Sequence, residues 1–542
     1  MSSRVRVLLL IAPALFLGCF FLWPVGAIVD TGLRPGGRLD LSPILDVVTQ
    51  RPTRHVIGFT VWQAALSTVE TFAVALPGAW ALGRVEFPGR RLVRAAVVLP
   101  FVLPTVVVAV AMKSLIGRRG VLSSVVELDD SLAAIVAAHV FFEYAIVARV
   151  VGGQWARLDR RVEDAARSLG ASPSQVLRHV TLPLLRPALL SAATLVFLFT
   201  ATSFGIVVLL GGPQHATLEV AIARAAAQAQ LPAASALAVV QLVAVVAMLA
   251  VEARLRERRH GAPGFVAEPA AGRRRLPGRQ RAGLVAVLAS MLVLLGGPLA
   301  VLVERSLRVG DGYGLDWYRR LGTSDRASIL FVSPWASIRT SLLYASIAAV
   351  LALVLGGAAA VALSARRDRL ARSGDTLLAL PLGTSAVTLG LGFLVALDTP
   401  PLDLRGSRWL VPIAHALIGV PFVVRVLMPA LRSVDQRLRE VAATLGATPW
   451  RVWREVDLAL AWRAVLLAGG FAFAISLGEF GATTVIGRSD TPTVPIAIGR
   501  FLSQPGAGSF GQAAAMSVVL LVLTGAAVLL ADRRRLDDAA DL

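Results

Sequence analysis

The chain has 542 residues, of which 56% are hydrophobic, and its mean hydropathy is +0.71. This much apolar sequence excludes an ordinary soluble domain, and the long unbroken apolar runs predict membrane-spanning helices rather than a barrel. The net charge of +20 comes almost wholly from arginine, since Lys113 is the only lysine. The arginines lie in short gaps between apolar runs, which indicates membrane topology rather than nucleic-acid binding.

Twelve apolar runs are long enough to cross a bilayer, so the predicted fold class is all-α and polytopic. Arginines cluster before the first run and after every even-numbered one, which predicts that this side, with both termini, is cytoplasmic. The predicted spans lie at about 7–29, 57–82, 95–115, 131–150, 187–211, 231–251, 283–303, 338–364, 376–397, 409–430, 463–486 and 513–532.

The two halves of the chain repeat one pattern. A shift of 276 residues takes His139 to His415 and Gly170 to Gly446 without a gap. Both halves begin on the same side, so the spans form two parallel six-helix repeats. We expect a first half over residues 1–251, a cytoplasmic linker rich in glycine, proline and arginine over 252–282, and a second half over 283–542.

Each half has one long loop between its fourth and fifth spans, at about 157–186 and 432–462. Gly170 and Gly446 are predicted to end a short helix in the left-handed conformation. Ser172-Pro173 and Thr448-Pro449 then cap a second helix, and Gln175 completes a capping box that Arg451 cannot form. An apolar stripe at helical spacing predicts a docking face, with Val176, Leu177 and Val180 in one loop and Val452, Trp453 and Val456 in the other.

The segments DAARSLGASP and EVAATLGATP resemble the signature loop of binding-protein-dependent ABC importer permeases. The resemblance implies a type I ABC importer permease fold in the bacterial inner membrane, in which these loops couple to two copies of an ATPase and an extracytoplasmic binding protein delivers the solute. Asp164 replaces the usual Glu, Val441 an Ala and Ala459 a Pro. By resemblance, the coupling residues are Asp164, Ala165, Gly170, Ser172, Pro173, Leu182 and Pro183, then Glu440, Ala442, Gly446, Thr448, Pro449 and Leu458.

The sequence offers no nucleotide-binding loop of its own. A phosphate-binding loop requires two glycines before a Lys-Ser or Lys-Thr pair, and Val107 and Met112 occupy those places before Lys113-Ser114. We therefore expect a transport subunit that is not an enzyme and that binds no cofactor or metal. ATP and Mg²⁺ would be used by the separate ATPase.

The solute is narrowed by a further resemblance. The segments beginning at Phe59, Phe87, Gly117, Ala138 and Ser203 are similar to the fused permease of bacterial thiamine importers, to which ferric-iron permeases are related. Residues 476–487 are equally similar to molybdate and sulfate permeases.

Acidic residues inside the spans bear on the same question. Glu70, Glu143 and Glu479 favour a cation such as thiamine or iron, because charged side chains inside a span usually face a cavity or a partner. The alternative is that they fix helix packing through hydrogen bonds.

Two matching segments follow the coupling loops and are candidates for the gate and pathway, namely Ser203, Phe204 and Gly205 in the first half and Glu479, Phe480 and Gly481 in the second. Movement of a docked ATPase would reach them through one helix each. The alternative class is an ion-coupled secondary transporter, which would normally lack the paired loops.

Overall fold

The computed structural model describes residues 3–34, 40, 42–118, 120–257, 278–322, 330, 332–366, 368–398 and 402–537. Within them the chain is almost entirely helical, apart from one antiparallel pairing of β1 (Arg308–Val309) with β2 (Gly312–Tyr313). Residues 258–277 of the predicted linker lie outside the described residues.

The helices of the first half are, in chain order, α1 (Ser3–Leu17), α2 (Trp23–Leu33), α3 (Ser42–Thr49), α4 (Arg51–Arg84), α5 (Arg90–Val102), α6 (Thr105–Ile116), α7 (Leu132–Arg157), α8 (Arg160–Ser168), α9 (Pro173–Val176), α10 (Leu182–Ala201), α11 (Gly205–Leu210), α12 (Leu218–Ala227) and α13 (Leu231–Glu257). Those of the second half are α14 (Gly278–Leu307), α15 (Asp316–Arg320), α16 (Pro334–Ser364), α17 (Arg369–Ala379), α18 (Ala386–Ala396), α19 (Leu410–Arg432), α20 (Gln436–Thr444), α21 (Pro449–Val452), α22 (Ala459–Gly478), α23 (Gly481–Ile486), α24 (Val494–Leu502) and α25 (Ala507–Asp537). Wider π-helical turns join α1 to α2, α9 to α10 and α21 to α22 without interrupting the helix.

Ten helical stretches among the described residues are long and apolar enough to cross a membrane, and two bent helix pairs bring the number to twelve. The bent pairs stand where the third and ninth spans were predicted as single helices, so that part of the prediction is wrong. Arg90–Val102 meets Thr105–Ile116 at 102°, and Ala371–Gly383 meets Ala386–Ala396 at 96°.

The two bends have local causes. In the first half, Pro104 has no N–H to donate and holds Leu103 in an extended conformation (ψ 143°), so the helix stops there. In the second half, Thr384 is extended and the hydroxyl of Ser385 accepts from the N–H groups of Val387 and Thr388, which starts a new helix. Apolar composition does not reveal either bend, because the hydrophobic run continues through it.

The fifth and eleventh spans are longer at one end and shorter at the other than predicted. Each begins inside its coupling loop, as one helix of 29 residues over Pro173–Ala201 and one of 30 residues over Pro449–Gly478. Each also ends before the predicted limits of 211 and 486, and a short helix, α11 or α23, follows after the break.

The first span of each half packs into the other half. Leu17 and Phe21 belong to the hydrophobic core of the second half, where α1 lies on α16 and α2 on α18. In return, α14 packs on α4 and α6 of the first half. Arg6 fastens the exchange, since its guanidinium makes a two-pronged ion pair with Asp368 before α17 and donates to the carbonyl of Ala362 (2.9 Å).

Candidate functional site

The two coupling loops have the local structure that the sequence predicted. Gly170 and Gly446 end α8 and α20 with φ of +89° and +81°. Ser172 caps α9 in a complete capping box with Gln175, whereas Thr448 caps the N–H of Arg451 without the return bond. Because two unrelated signals, the left-handed glycine and the hydroxyl cap, recur in both loops, each loop holds its turn in one fixed geometry.

The apolar surface that the loops expose differs from the predicted stripe. Val176 is buried, and the predicted second-loop positions are half-buried. Leu169 and Leu445 are instead 89% and 82% exposed, at equivalent places just before the left-handed glycines. Trp450 is exposed as well and stacks on Trp453 with ring centroids 4.8 Å apart. Apolar side chains this exposed outside the spans indicate a surface that a partner covers.

The remaining predicted coupling residues lie on the outside of the same loops. Asp164 is exposed and pairs with Arg167 (2.6 Å), and Glu440 is exposed on α20. Ala165, Leu182 and Pro183 are also exposed, whereas Ala442 and Leu458 are half-buried. The sequence reasoning missed their inward-facing neighbours Glu163 and Arg439, which make ion pairs at the base of each loop. The signal that could have revealed them was a complementary charge 18 residues later in the second loop, at Asp457.

The structure brings the two predicted gate segments together. Ser203-Phe204 and Glu479-Phe480 occupy the breaks after α10 and α22. The rings of Phe204 and Phe480 stack with centroids 5.5 Å apart and an interplanar angle of 29°. Gly205 lies so close to α6 that a Cβ there would stand 2.3 Å from Thr105 Oγ1. Gly481 meets Ala386 of α18 in the same way, at 3.1 Å. Both breaks therefore lie against the bent third and ninth spans.

Glu479 is engaged on both oxygens. It accepts from the N–H groups of Ala482 (2.8 Å) and Thr483 (3.0 Å), from the Thr483 hydroxyl (2.6 Å), and lies 3.2 Å from His415 Nε2. The carboxylate thus caps the first turn of α23, where the backbone N–H groups would otherwise be unpaired. His415 also contacts Ser476 (2.8 Å), so the network ties α19 to both sides of the break.

The other two predicted glutamates lie apart from this boundary. Glu143 is buried and accepts from Thr200 (3.0 Å), whose carbonyl accepts from Gln63, so it links α7, α10 and α4. Glu70 is exposed on α4 in an apolar groove of about 710 Å³, lined also by α6, α7 and α14. The structure does not bring Glu70 together with Phe204 or Phe480.

A fourth acidic residue, Glu219, was missed by the sequence reasoning. It is fully buried on α12 and receives hydrogen bonds from Gln241 in its own half and from Ser385 in the other half. The shift of 276 places Pro495 at the equivalent position, so the signal in the sequence was an acidic residue in only one repeat. Glu219 joins α12 and α13 to the bend of the ninth span.

Comparison with known proteins adds a family to this geometry. The model of the family described as "Binding-protein-dependent transport system inner membrane component" matches residues 75–258 and again residues 352–536. Each match begins within the second span of its half, after the first span that is exchanged between the halves.

Individual relatives are also similar over most of the chain. The thiamine transport system permease protein ThiP of Brucella suis biovar 1 is 30% identical over 94% of this chain and 92% of its own length. The protein of the same name from Escherichia coli K12 is 29% identical over 84% and 85%. A putative 2-aminoethylphosphonate transport system permease protein PhnV of Salmonella typhimurium is 30% identical over 46% of this chain and 91% of its own length.

Proposed function

The chain belongs to the family of binding-protein-dependent transport system inner membrane components, and from that premise we propose that it is the permease that carries thiamine from a binding protein into the cytoplasm. It is a multi-pass inner-membrane protein and a transport subunit of an ABC importer. In this proposal it binds no cofactor, two copies of an ATPase dock on the coupling loops and use ATP and Mg²⁺, and both termini are cytoplasmic.

One observation carries the mechanism. Each coupling loop is the beginning of a single long helix whose far end lies beside Phe204 or Phe480. Movement of a loop is therefore a movement of the helix that ends at the stacked rings. ATP-driven closure of the ATPases draws the loops together, separates the rings and opens the outer face to a loaded binding protein. Hydrolysis reverses the motion, which is alternating access between two states.

Thiamine as the solute is supported by the relatives that bear its name over about nine-tenths of the chain. It is also supported by charge, because acidic side chains at the boundary between the halves, Glu219 and Glu479, suit a cation better than an oxyanion. Ferric iron is the second cation to be tested, and molybdate and sulfate are the anionic controls.

The test is uptake into proteoliposomes that hold the full chain with its ATPase, supplied with the binding protein and labelled thiamine or ferric iron in parallel. We expect thiamine uptake that requires both the binding protein and hydrolysis-competent ATPase. Iron uptake alone would keep the architecture and change the solute. Uptake that persists with a hydrolysis-deficient ATPase and follows an ion gradient would overturn the proposal in favour of a secondary transporter.

A further inference from the structure

A buried ion pair stands at the base of the first coupling loop. Arg84, the last residue of α4, places NH2 2.7 Å from Glu163 Oε1, and the two side chains are only 8% and 11% exposed. The same carboxylate oxygen accepts from the hydroxyl of Thr181 (2.9 Å), in the turn that joins α9 to α10. Arg84 NH1 donates to the carbonyl of Leu158 at the end of α7 (2.9 Å). We call Arg84, Glu163 and Thr181 the first latch.

The second loop has the same connections with the charges exchanged. The shift of 276 takes Glu163 to Arg439 and Thr181 to Asp457. Arg439 Nε donates to Asp457 Oδ1 (2.7 Å), and Arg439 NH2 donates to the carbonyl of Leu431 at the end of α19 (3.0 Å). We call Arg439 and Asp457 the second latch. In both latches an arginine joins a carboxylate of the loop to a carbonyl at the end of the fourth span of that half.

The latches face the membrane-embedded core, whereas their sequence neighbours face outward. Glu163 is buried and Asp164, the next residue, is exposed and paired with Arg167. Arg439 is half-buried and Glu440 is exposed. An ATPase that docks on the exposed side would meet Asp164 and Glu440, and the push or pull would pass into the core through Glu163 and Arg439. The first latch reaches one element more than the second, because its arginine belongs to α4 and not to the loop.

We propose that the two latches are positioning devices that fix the angle between each coupling loop and the helix that continues from it, and that they set how much solute moves per ATP hydrolysed. The inference rests on the proposed function, because it presumes that an ATPase docks on these loops. A buried ion pair suits this role, since removal of one partner leaves the other charge without compensation at a site from which water is excluded. The loop would then settle in a different orientation without losing its docking face.

The experiment uses the full complex of the chain, its ATPase and the binding protein in proteoliposomes, with ATP hydrolysis and solute uptake measured on the same sample. The variants are Glu163→Gln and the milder Thr181→Val in the first latch, and Arg439→Gln in the second. Two charge exchanges, R84E with E163R and R439D with D457R, test whether the pairing itself matters. Arg372→Gln, an exposed arginine of α17, is the matched control.

We expect the single variants to hydrolyse ATP at close to the wild-type rate while uptake per ATP falls about three- to tenfold, the size of effect typical of residues that couple two sites. The charge exchanges should recover most of the lost uptake per ATP, and Arg372→Gln should match the wild type.

Unchanged uptake per ATP in all latch variants would overturn the proposal. So would a parallel loss of hydrolysis, uptake and thermal stability that the charge exchanges do not recover, because that pattern belongs to a purely structural ion pair. If the wild-type complex itself shows no ATP-dependent uptake, the proposed function fails, and that result is visible before any variant is compared.

Discussion

Phe204 and Phe480 stack across the boundary between the two halves, with ring centroids 5.5 Å apart. Each ring stands just beyond the end of a helix that begins in a coupling loop, and each is followed by a glycine packed on the bent span of a repeat. The contact therefore joins the two moving helices at the ends farthest from the ATPases. A stacked aromatic pair adds about 0.5–1.5 kcal/mol beyond the area it buries, which is small enough to be broken in each transport cycle.

Truncation of either ring should make the closed state leak. We expect Phe204→Ala and Phe480→Ala to release preloaded solute from proteoliposomes without ATP, because the alanine leaves a space where the two rings met. The measurement is efflux of labelled thiamine in the absence of nucleotide. Phe16→Ala removes one ring of a pair within the first span (Phe16 and Phe20, 5.3 Å) and should not leak. Equal efflux from all three variants and the wild type would show that the rings do not close the path.

The hydrogen bond between Ser385 and Glu219 should contribute to the stability of the joined halves. Ser385→Ala removes both the cap of α18 and the donor to a buried carboxylate, and we expect a loss of about 1–3 kcal/mol. Ser385→Thr keeps the hydroxyl and should lose much less. Thermal unfolding of the purified chain measures both, with the exposed Ser346→Ala on α16 as the control. An unchanged midpoint for Ser385→Ala would mean that this contact does not hold the halves together.

How far the sequence predicted this molecule depended on the range of each signal. The spans, the repeat, the left-handed glycines at Gly170 and Gly446 and the hydroxyl caps are properties of short segments, and the structure agrees with them. The bends of the third and ninth spans were missed because hydropathy registers composition and not direction. Pro104 was visible, yet a proline within an apolar run is also compatible with a kinked continuous helix.

Long-range pairing was beyond the sequence. Asp164 was chosen over Glu163 because it matches a family motif, whereas burial and the partnership with Arg84 depend on a helix that ends 79 residues earlier. The exchange of the first spans between the halves left no local trace either. Glu219 was overlooked for the same reason, since its partner Ser385 lies 166 residues away.

The left-handed glycine of the second loop gives a prediction about stability and coupling together. Gly446→Ala places a Cβ at φ +81°, which costs about 1–2 kcal/mol even though nothing lies within 4 Å of the new atom. We expect a lower unfolding temperature and weaker coupling of ATP hydrolysis to uptake, and a smaller effect for Gly446→Asn, because asparagine enters this conformation more readily.

The matched control for that prediction is the same substitution in an open helical position. Gly153 of α7 also has free space where a Cβ would be added and has no positive φ, so Gly153→Ala should be neutral or slightly stabilising. If Gly446→Ala and Gly153→Ala behave alike, the turn is not constrained by its glycine.

The ion pair that fastens the first span to the second half should show a defined pH dependence. The Arg6 guanidinium, which hydrogen-bonds to Asp368, holds the pKa of that carboxyl well below its usual range. A lowered pKa in the folded state means that the stabilisation is complete above the unfolded value of about 3.9 and is lost as the pH falls through the folded value. Asp368→Asn keeps a side chain that can cap α17 but removes the charge.

We therefore expect the wild type to unfold at a higher temperature than Asp368→Asn, by the same margin from about pH 8 to pH 5, and the margin to shrink only below about pH 4. Thermal unfolding of the two proteins across this range is the measurement. Asp316→Asn breaks an exposed pair with Arg319 (3.6 Å) and should leave the unfolding temperature almost unchanged at every pH, since exposed pairs contribute little. A margin that already declines between pH 8 and pH 5 would contradict the lowered pKa, and no margin at any pH would mean that Arg6 does not anchor the exchanged span.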